Sequence, residues 1–437
     1  MNRKMKSNLN SRIKWIFSVS SRFSQVDRKG RSRVTSFLST LGICFGVMTL
    51  TVVMGVMNGF QMNFIDSIME ISSYHIRISD FDLQAENTIR QYLENSKNVK
   101  SVTGFYEAQS LVTTSRGRES VALIRAIDSD VYERDSGFRK ELVMLAGEFD
   151  VTEPDSIVIG SGMARNLGIG LNGVVNFFAL SGGNDVQLLS SERNFVVKGI
   201  FKCGYADINS SYVFVSKEAG ENYFGKEAKK VLGLKLQNSN DDSKFISKFN
   251  KTFSDVRAIS WRDYNKTFFG ALRIEKNMLL FLVAMIFLVV AINIYNGMRR
   301  LVFERRSEIS ILSALGAHDS EIKFIFTLQG FLNGVKGAVP GLILGLLLCV
   351  NSSTVFMFAS KLMYVFSYLI TAITSPSNLI YVTENPMYAV YASIPARVFF
   401  GESMMITLFG ILSPLVASWA ASRNVLKMTV AEVLHNE

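Results

Sequence analysis

The chain has 437 residues, of which 48% are apolar (AVILMFWYC) and only 19% charged, with a mean hydropathy of +0.22. A soluble domain carries about 25% charged residues, so this composition excludes an ordinary soluble protein. The net charge of +10 is concentrated: residues 1–35 hold 10 Lys/Arg against the single acid Asp27, a net of +9, whereas residues 61–276 hold 27 Lys/Arg and 28 Asp/Glu, a net of −1. Basic residues beside a first span keep that flank in the cytoplasm, so the basic pI reports membrane orientation and no nucleic-acid partner is expected.

After the cytoplasmic arm of residues 1–35, 32 residues without a charge separate Arg33 from Asp66, more than the roughly 20 that cross a bilayer. The run is too long for the apolar part of a signal peptide and no small-residue cleavage site follows, so 36–62 reads as a retained first span. Residues 63–275 read as an outer α+β domain. In it Ile89, Tyr92 and Leu93 share one helical face, and 121–127, 156–160, 174–180, 194–201, 211–215 and 231–236 read as strands bounded by Gly, Asn and Ser. Between two of these strands, residues 181–193 are hydrophilic and longer than a tight hairpin needs, either a projecting loop or a disordered tip; Ser181, Asn184, Gln187 and Leu189 are its candidate contact residues.

The second span is 276–298, with 22 uncharged residues between Lys276 and Arg299, followed by a cytoplasmic loop at 299–323 whose five bases mark the inner side. The third is 324–350. Carried on to Ser360, that helix would be ~55 Å long, too much for one crossing of a ~30 Å core. Pro340 offers a kink, and 351–397 reads as an extension of the third span with a short outer loop. Residues 352–374, with Lys361 amid Phe356, Phe358, Tyr364, Phe366 and Tyr368, are alternatively a fifth crossing. The fourth span is 398–421 and the cytoplasmic tail 422–437. The expected fold class is an α-helical membrane protein with four transmembrane helices and a large α+β domain between the first and second.

Two motifs fail on chemistry. Gly220–Glu227 (GENYFGKE) lacks the Ser or Thr that a phosphate-binding loop needs after its Lys, and Arg165 stands where a dinucleotide fingerprint after Gly160 and Gly162 needs its third glycine. Cys44, Cys203 and Cys349, and His75, His318 and His435, are scattered, so neither a disulfide framework nor a metal site is expected, and no nucleophile has a base and an orienting group. Gly330, Gly334, Ala338, Gly341 and Gly345 form a small-residue stripe on the third span, and Gly42 with Gly46 repeats the spacing on the first. Such stripes let helices approach closely in lipid, within a chain or between subunits. Lys336 lies inside the third run, where an ammonium needs a partner, a wet cavity or a route to the surface. In the inner loop, Glu304 and Glu308 share one face with Arg305 beside them, and Ile309, Leu312 and Leu315 make the opposite apolar face; Gly316 can end this helix and Asp319 can cap the next. Such a helix suits a membrane surface or a groove in a soluble partner.

These stretches resemble the LolC/LolE permeases of the lipoprotein-releasing ABC transporter, within the wider MacB/FtsX-like superfamily. The likeness covers nearly the whole chain: FLSTLGICFGVMTLTVVMGVMNGFQ (37–61), RIEKNM (273–278) with Asn293 and Ile294, the inner helix at 304–317, SIVIGSGMARNLGI (156–169) and VASWAASRNVLKMTVAEVL (416–434). Ala421 and Val430 depart from it where the family's tail has proline, and 181–193 does not match the chaperone-binding hook of LolC. The resemblance implies a non-catalytic permease of the bacterial inner membrane with a periplasmic domain. It would pair with a second permease, as a homo- or heterodimer, and with a dimer of LolD-like ATPase subunits that use ATP and Mg. Lipoproteins would enter against Met54, Met57, Phe60, Met278, Phe281 and Met285 and pass to a LolA-like carrier, with 304–316 as the ATPase-coupling helix. An FtsX-like transmitter that activates a cell-wall hydrolase and a MacB-like efflux permease are the competing readings.

Overall fold

The computed structural model describes residues 31–179, 194–223, 230–304, 306–385 and 387–425. The chain divides into two compact units, Met1–Gln61 with Ile274–Glu437, and Met62–Arg273.

The first unit is a helical bundle made of α1 (Arg31–Ser67), α2 (Lys266–Glu304), the short α3 (Arg306–Ala314), α4 (Asp319–Val350), α5 (Ser352–Thr374), the short α6 (Met387–Ser393) and α7 (Phe400–Val425). Among the described residues five of these, all but α3 and α6, are long and apolar enough to cross a membrane. Their core repeats at helical spacing: Ile43, Val47, Leu50 and Met54 of α1 join Val283, Phe287, Ile294 and Met298 of α2, Ile322 and Phe326 of α4, and Ile406 and Ala417 of α7. Ala421, where the family's tail has proline, is fully buried in that core and α7 runs through it. None of α5 enters the cluster.

The expected continuous extension of the third span is replaced by two helices. Asn351 caps α4, its side chain and its backbone N–H both donating to the Leu347 carbonyl at 2.9 and 3.2 Å, and α5 begins at Ser352. A second correction concerns the start of α4. His318, not Asp319, is the N-cap, because Glu321 reaches back to the His318 N–H at 3.1 Å in a capping box.

The second unit is built on ten strands in the order β10-β1-β9-β2-β3-β8-β5-β7-β4, with β6 pairing both β2 and β7. Their ranges are β1 Ile76–Ser79, β2 Val99–Thr114, β3 Glu119–Ile127, β4 Val143–Gly147, β5 Ser156–Gly160, β6 Val174–Ala179, β7 Asn194–Lys202, β8 Tyr212–Ser216, β9 Lys230–Leu236 and β10 Arg257–Ser260. The double pairing of β6 closes β2, β3, β8, β5, β7 and β6 into a ring. Strand alternation supplies two cores: Ala122, Ile124 and Ala126 of β3 with Val213 and Val215 of β8 point into one, and Phe105, Val158, Phe201 and Phe214 into the other. A third lobe packs Ile76 and Ile78 of β1 and Leu232, Leu234 and Leu236 of β9 against helices Leu83–Glu94 and Asp242–Thr252. At 16 residues, β2 is long enough to serve both lobes, its first half on β9 and its second on β3. Gly160 and Gly162, the false dinucleotide pair, serve packing here: a Cβ on Gly160 would lie 2.1 Å from the Asn209 carbonyl oxygen.

Candidate functional site

The expected substrate-facing residues separate into two groups. Met278, Phe281 and Met285 recur at i, i+3 and i+7 on α2, which puts them on one face, and all three are exposed, Phe281 at 69%. Leu282, Leu288, Val289 and Ile292 widen the same open face. On α1 the outcome differs. Met54 is 3% exposed and belongs to the bundle core, so it is not a cavity-lining residue, while Met57 and Phe60 are half-buried. Phe60 meets the Tyr391 ring edge-on with centroids 5.3 Å apart, and Tyr391 meets Phe356 of α5 at 5.8 Å.

Beside them lies a polar cluster that composition alone does not reveal. Asn58, 3% exposed, donates its amide to the Glu402 carboxylate, which also pairs with Lys276, and Gln61 donates to Glu275 at 3.5 Å. Glu402 sits in the first turn of α7, where the helix dipole favours an anion. The cluster ties the C-terminal part of α1 to α2 and to the first turn of α7. The asparagine of the VMNGF stretch is therefore a structural tie, and the signal for it was the unusual pairing of Asn and Gly within an apolar run.

The small-residue stripes also separate. A Cβ on Gly330 would lie 2.1 Å from Ser418 Oγ, on Gly334 3.0 Å from the Ile411 carbonyl oxygen, on Gly341 2.5 Å from the Cys44 carbonyl oxygen, and on Gly345 2.8 Å from Thr51 Cβ. The stripe on α4 is consumed within the chain, against α7 and α1. Gly42 and Gly46 have open space instead, and Gly42 lines a cleft of about 260 Å³ with Leu38, Ser39, Val290, Asn293 and Ile294. Gly55 and Gly59, not singled out in the sequence, are close-packing sites as well: a Cβ on Gly59 would lie 2.4 Å from the Pro395 carbonyl oxygen. Lys336 stands exposed on α4 beside Val339, without an ion pair among the described residues.

In the inner loop, Arg305 lies outside the described residues; Glu304 ends α2 and Glu308 falls within α3. The expected apolar face is divided. Ile309 turns into the bundle core at 8% exposure, Leu312 is half-buried, and Leu315 is 81% exposed. Ile311, one turn before Leu315, is exposed as well, so the outward apolar pair is Ile311 and Leu315. Gly316 ends the helix at φ +95°, a left-handed conformation that glycine adopts without strain. The candidate carrier contacts Ser181, Asn184, Gln187 and Leu189 lie outside the described residues.

The outer domain buries its own charges. Arg125, fully buried, donates to the carbonyls of Ile71 and Ser72 at the end of the π-turn Ile68–Ser72 and pairs with Glu107, which Arg77 also holds. Burial alone would raise the Glu107 pKa, but the two guanidiniums outweigh it and hold the carboxyl below its ordinary value. Lys235, 1% exposed, pairs with Glu70 and Asp135, each at 2.6 Å. His75 accepts from the Leu236 N–H at 2.9 Å, and burial pushes its pKa down, with Glu70 opposing. Burial likewise pushes the Cys203 thiol up to about 12, which keeps it protonated and unreactive. Among the described residues no three His, Cys, Asp or Glu side chains are grouped to hold a metal.

Comparison with known proteins converges on one class. The family model for the MacB-like periplasmic core domain matches residues 36–248, and that for the FtsX-like permease C-terminal region matches residues 280–430. A Neisseria meningitidis serogroup B protein named lipoprotein-releasing system transmembrane protein LolC is 25% identical over 426 residues, 94% of this chain and 96% of the relative. A LolE of Haemophilus influenzae is 21% identical over 326 residues, 72% of this chain and 77% of its own. An uncharacterized ABC transporter permease of Methanocaldococcus jannaschii is 26% identical over 336 residues, 73% and 80% respectively. Among solved structures, the periplasmic region of MacB from Actinobacillus actinomycetemcomitans aligns with a TM-score of 0.31 at 13% identity, over 46% of this chain and 95% of that one. A MacB-like core domain followed by an FtsX-like region on apolar helices defines an ABC transporter permease of the membrane. Within that class the chain is similar to the LolC and LolE proteins along most of its length.

Proposed function

We propose that this chain is a permease subunit of an ATP-driven transporter that extracts lipoproteins from the outer leaflet of the inner membrane and passes them to a periplasmic carrier. The observation that carries the reading is the likeness to LolC proteins along 94% of the chain, domain order included. The exposed stripe Met278, Phe281 and Met285 suits acyl chains, because thioether and aromatic side chains adapt to flexible apolar ligands. A second permease subunit completes the membrane part. A pair of LolD-like subunits supplies ATP hydrolysis with Mg, and Ile311 on α3 with Leu315 just after it dock into them as a helix in a groove. This chain itself holds no cofactor.

Four helices cross the bilayer, α1, α2, α4 and α7, with both termini cytoplasmic. Support comes from the two ends of the segment containing α5. Ser352 accepts from the Ala396 N–H at 3.5 Å, the Arg397 N–H donates to Gly55 at 2.8 Å, and Cys349 lies against Gly55. The segment therefore leaves and rejoins the bundle at one level. Were α5 a crossing, residues 375–395 would have to recross, and their longest helix is the seven-residue α6; bare backbone cannot span hydrocarbon.

Depletion tests the function. Lipoproteins retained in the inner-membrane fraction are the expected outcome, whereas filamentous cells with normally sorted lipoproteins would favour the FtsX-like transmitter.

A further inference from the structure

We propose that α5 is an interfacial helix lying flat in the outer leaflet, its apolar face among the acyl chains, so that the partner it fits is the bilayer itself. The inference rests on the four-span reading and adds where the non-crossing helix goes. At 23 residues α5 is about 35 Å long, and it starts at the bundle level where Cys349, Gly55 and Ala396 meet. Its sequence has two sides. Val355, Leu362 and Leu369 recur every seven residues, as do Thr354, Lys361 and Tyr368 one position earlier, about 100° round the helix. Ser360 is buried, whereas Leu362 and Leu369 are each more than half exposed. No core cluster of the described residues covers that apolar side. A helix with a broad apolar face, a hydroxyl-rich face and one lysine is built for the headgroup boundary, where its apolar side sinks about 5–10 Å. Water on that side would leave a large apolar patch uncovered.

The position gives the helix a role in extraction. Phe356 of α5 packs on Tyr391, and Tyr391 packs on Phe60, so a row of rings joins α5 to the end of α1 expected to meet the substrate. A helix wedged into one leaflet spreads headgroups and loosens acyl packing around it. That loosening would be delivered beside Phe60.

The test is site-directed spin labelling of the full chain in vesicles of phosphatidylethanolamine and phosphatidylglycerol. Single cysteines replace Val355, Leu362, Leu369, Thr354, Lys361 and Tyr368 in a Cys44→Ser background; Cys203 and Cys349 are buried, and an unsubstituted control measures any label they take. Collision with oxygen, which concentrates in lipid, is compared with collision with a water-soluble nickel chelate. The expected result is one common, oxygen-dominated depth for Val355, Leu362 and Leu369, with nickel-dominated values at the other three. A crossing helix would instead step by about 10 Å between successive labels, with Leu362 deepest, and would overturn both this inference and the four-span reading. Nickel access at all six positions, or access by neither reagent because another protein covers them, would overturn the interfacial placement alone.

Discussion

Removing the Arg125 guanidinium, as in Arg125→Met, takes away the donor to the Ile71 carbonyl, one of the two donors to the Ser72 carbonyl, which Arg77 also reaches, and one of the two cations that neutralise Glu107. A buried charge network broken on one side costs about 3–5 kcal/mol, so thermal unfolding of the full chain in detergent should shift down by several degrees; an unchanged transition would show that Glu107 finds its charge balance elsewhere. The same network sets the pH response. Glu107 has a folded pKa below its unfolded value, so its contribution is present above the unfolded pKa and disappears as pH falls through the folded one. His75 has its folded pKa lowered by burial; it is neutral in both states at pH 7–8, and below about 6.5 the unfolded chain takes up a proton that the folded one resists. Both act in one direction, so unfolding temperature should hold steady from pH 8 to 7 and then fall. Replacing His75 with asparagine should remove the earlier part of that decline. None of these residues was legible in the sequence, since Arg, Lys and Glu within a strand read as solvent-facing until partners from distant segments, such as Glu107 and Ile71 for Arg125, are known.

Helices and strands were legible to the degree that one local pattern determined them. Uncharged runs mark the crossing helices because burying charge in lipid is costly, and strands such as SIVIG and NFVVKGIF show because both faces of their pleat are apolar or strictly alternate. Strand β2 was not anticipated: VKSVTGFYEAQSLVTT passes from one lobe to another, and its burial follows three different neighbours rather than one period. Glycine stripes read alike in sequence yet differ in space. Gly330→Val should therefore destabilise the isolated chain, because the new side chain meets Ser418 and Pro414, while Gly42→Val should leave its unfolding unchanged. Overpacking of this kind costs about 1–3 kcal/mol. A drop in permease pairing caused by Gly42→Val alone, read by co-purification with a second tagged copy or its partner permease, would mark the open stripe on α1 as an interface between subunits. At the end of α3, Leu315→Asp changes a side chain that is 81% exposed and should leave folding intact while ATPase subunits no longer co-purify. Retained association would move the docking surface away from Ile311 and Leu315.

At the scale of the molecule, charge and covalent connection make separate demands that agree on topology. Were α5 to cross, residues 375–397, with Arg397 their only base, would lie in the cytoplasm, and the C-terminal stretch with Arg423 and Lys427 would lie outside. That arrangement opposes the positive-inside rule. With α5 at the surface, the five bases of 299–323 and those of the tail share the cytoplasmic side with the arm of net +9. The two arrangements differ by one crossing, so the C-terminus reports between them. Green fluorescent protein fused after Glu437 should fluoresce, since it folds in the cytoplasm, and alkaline phosphatase at the same position should be inactive. A phosphatase inserted near Glu384, in the segment between α5 and α6, should be active, because the four-span reading puts that segment in the periplasm. Reversal of both reporters would make α5 a fifth span. Reversal at Glu384 alone would be incompatible with either count, because α7 separates that site from the C-terminus by a single crossing.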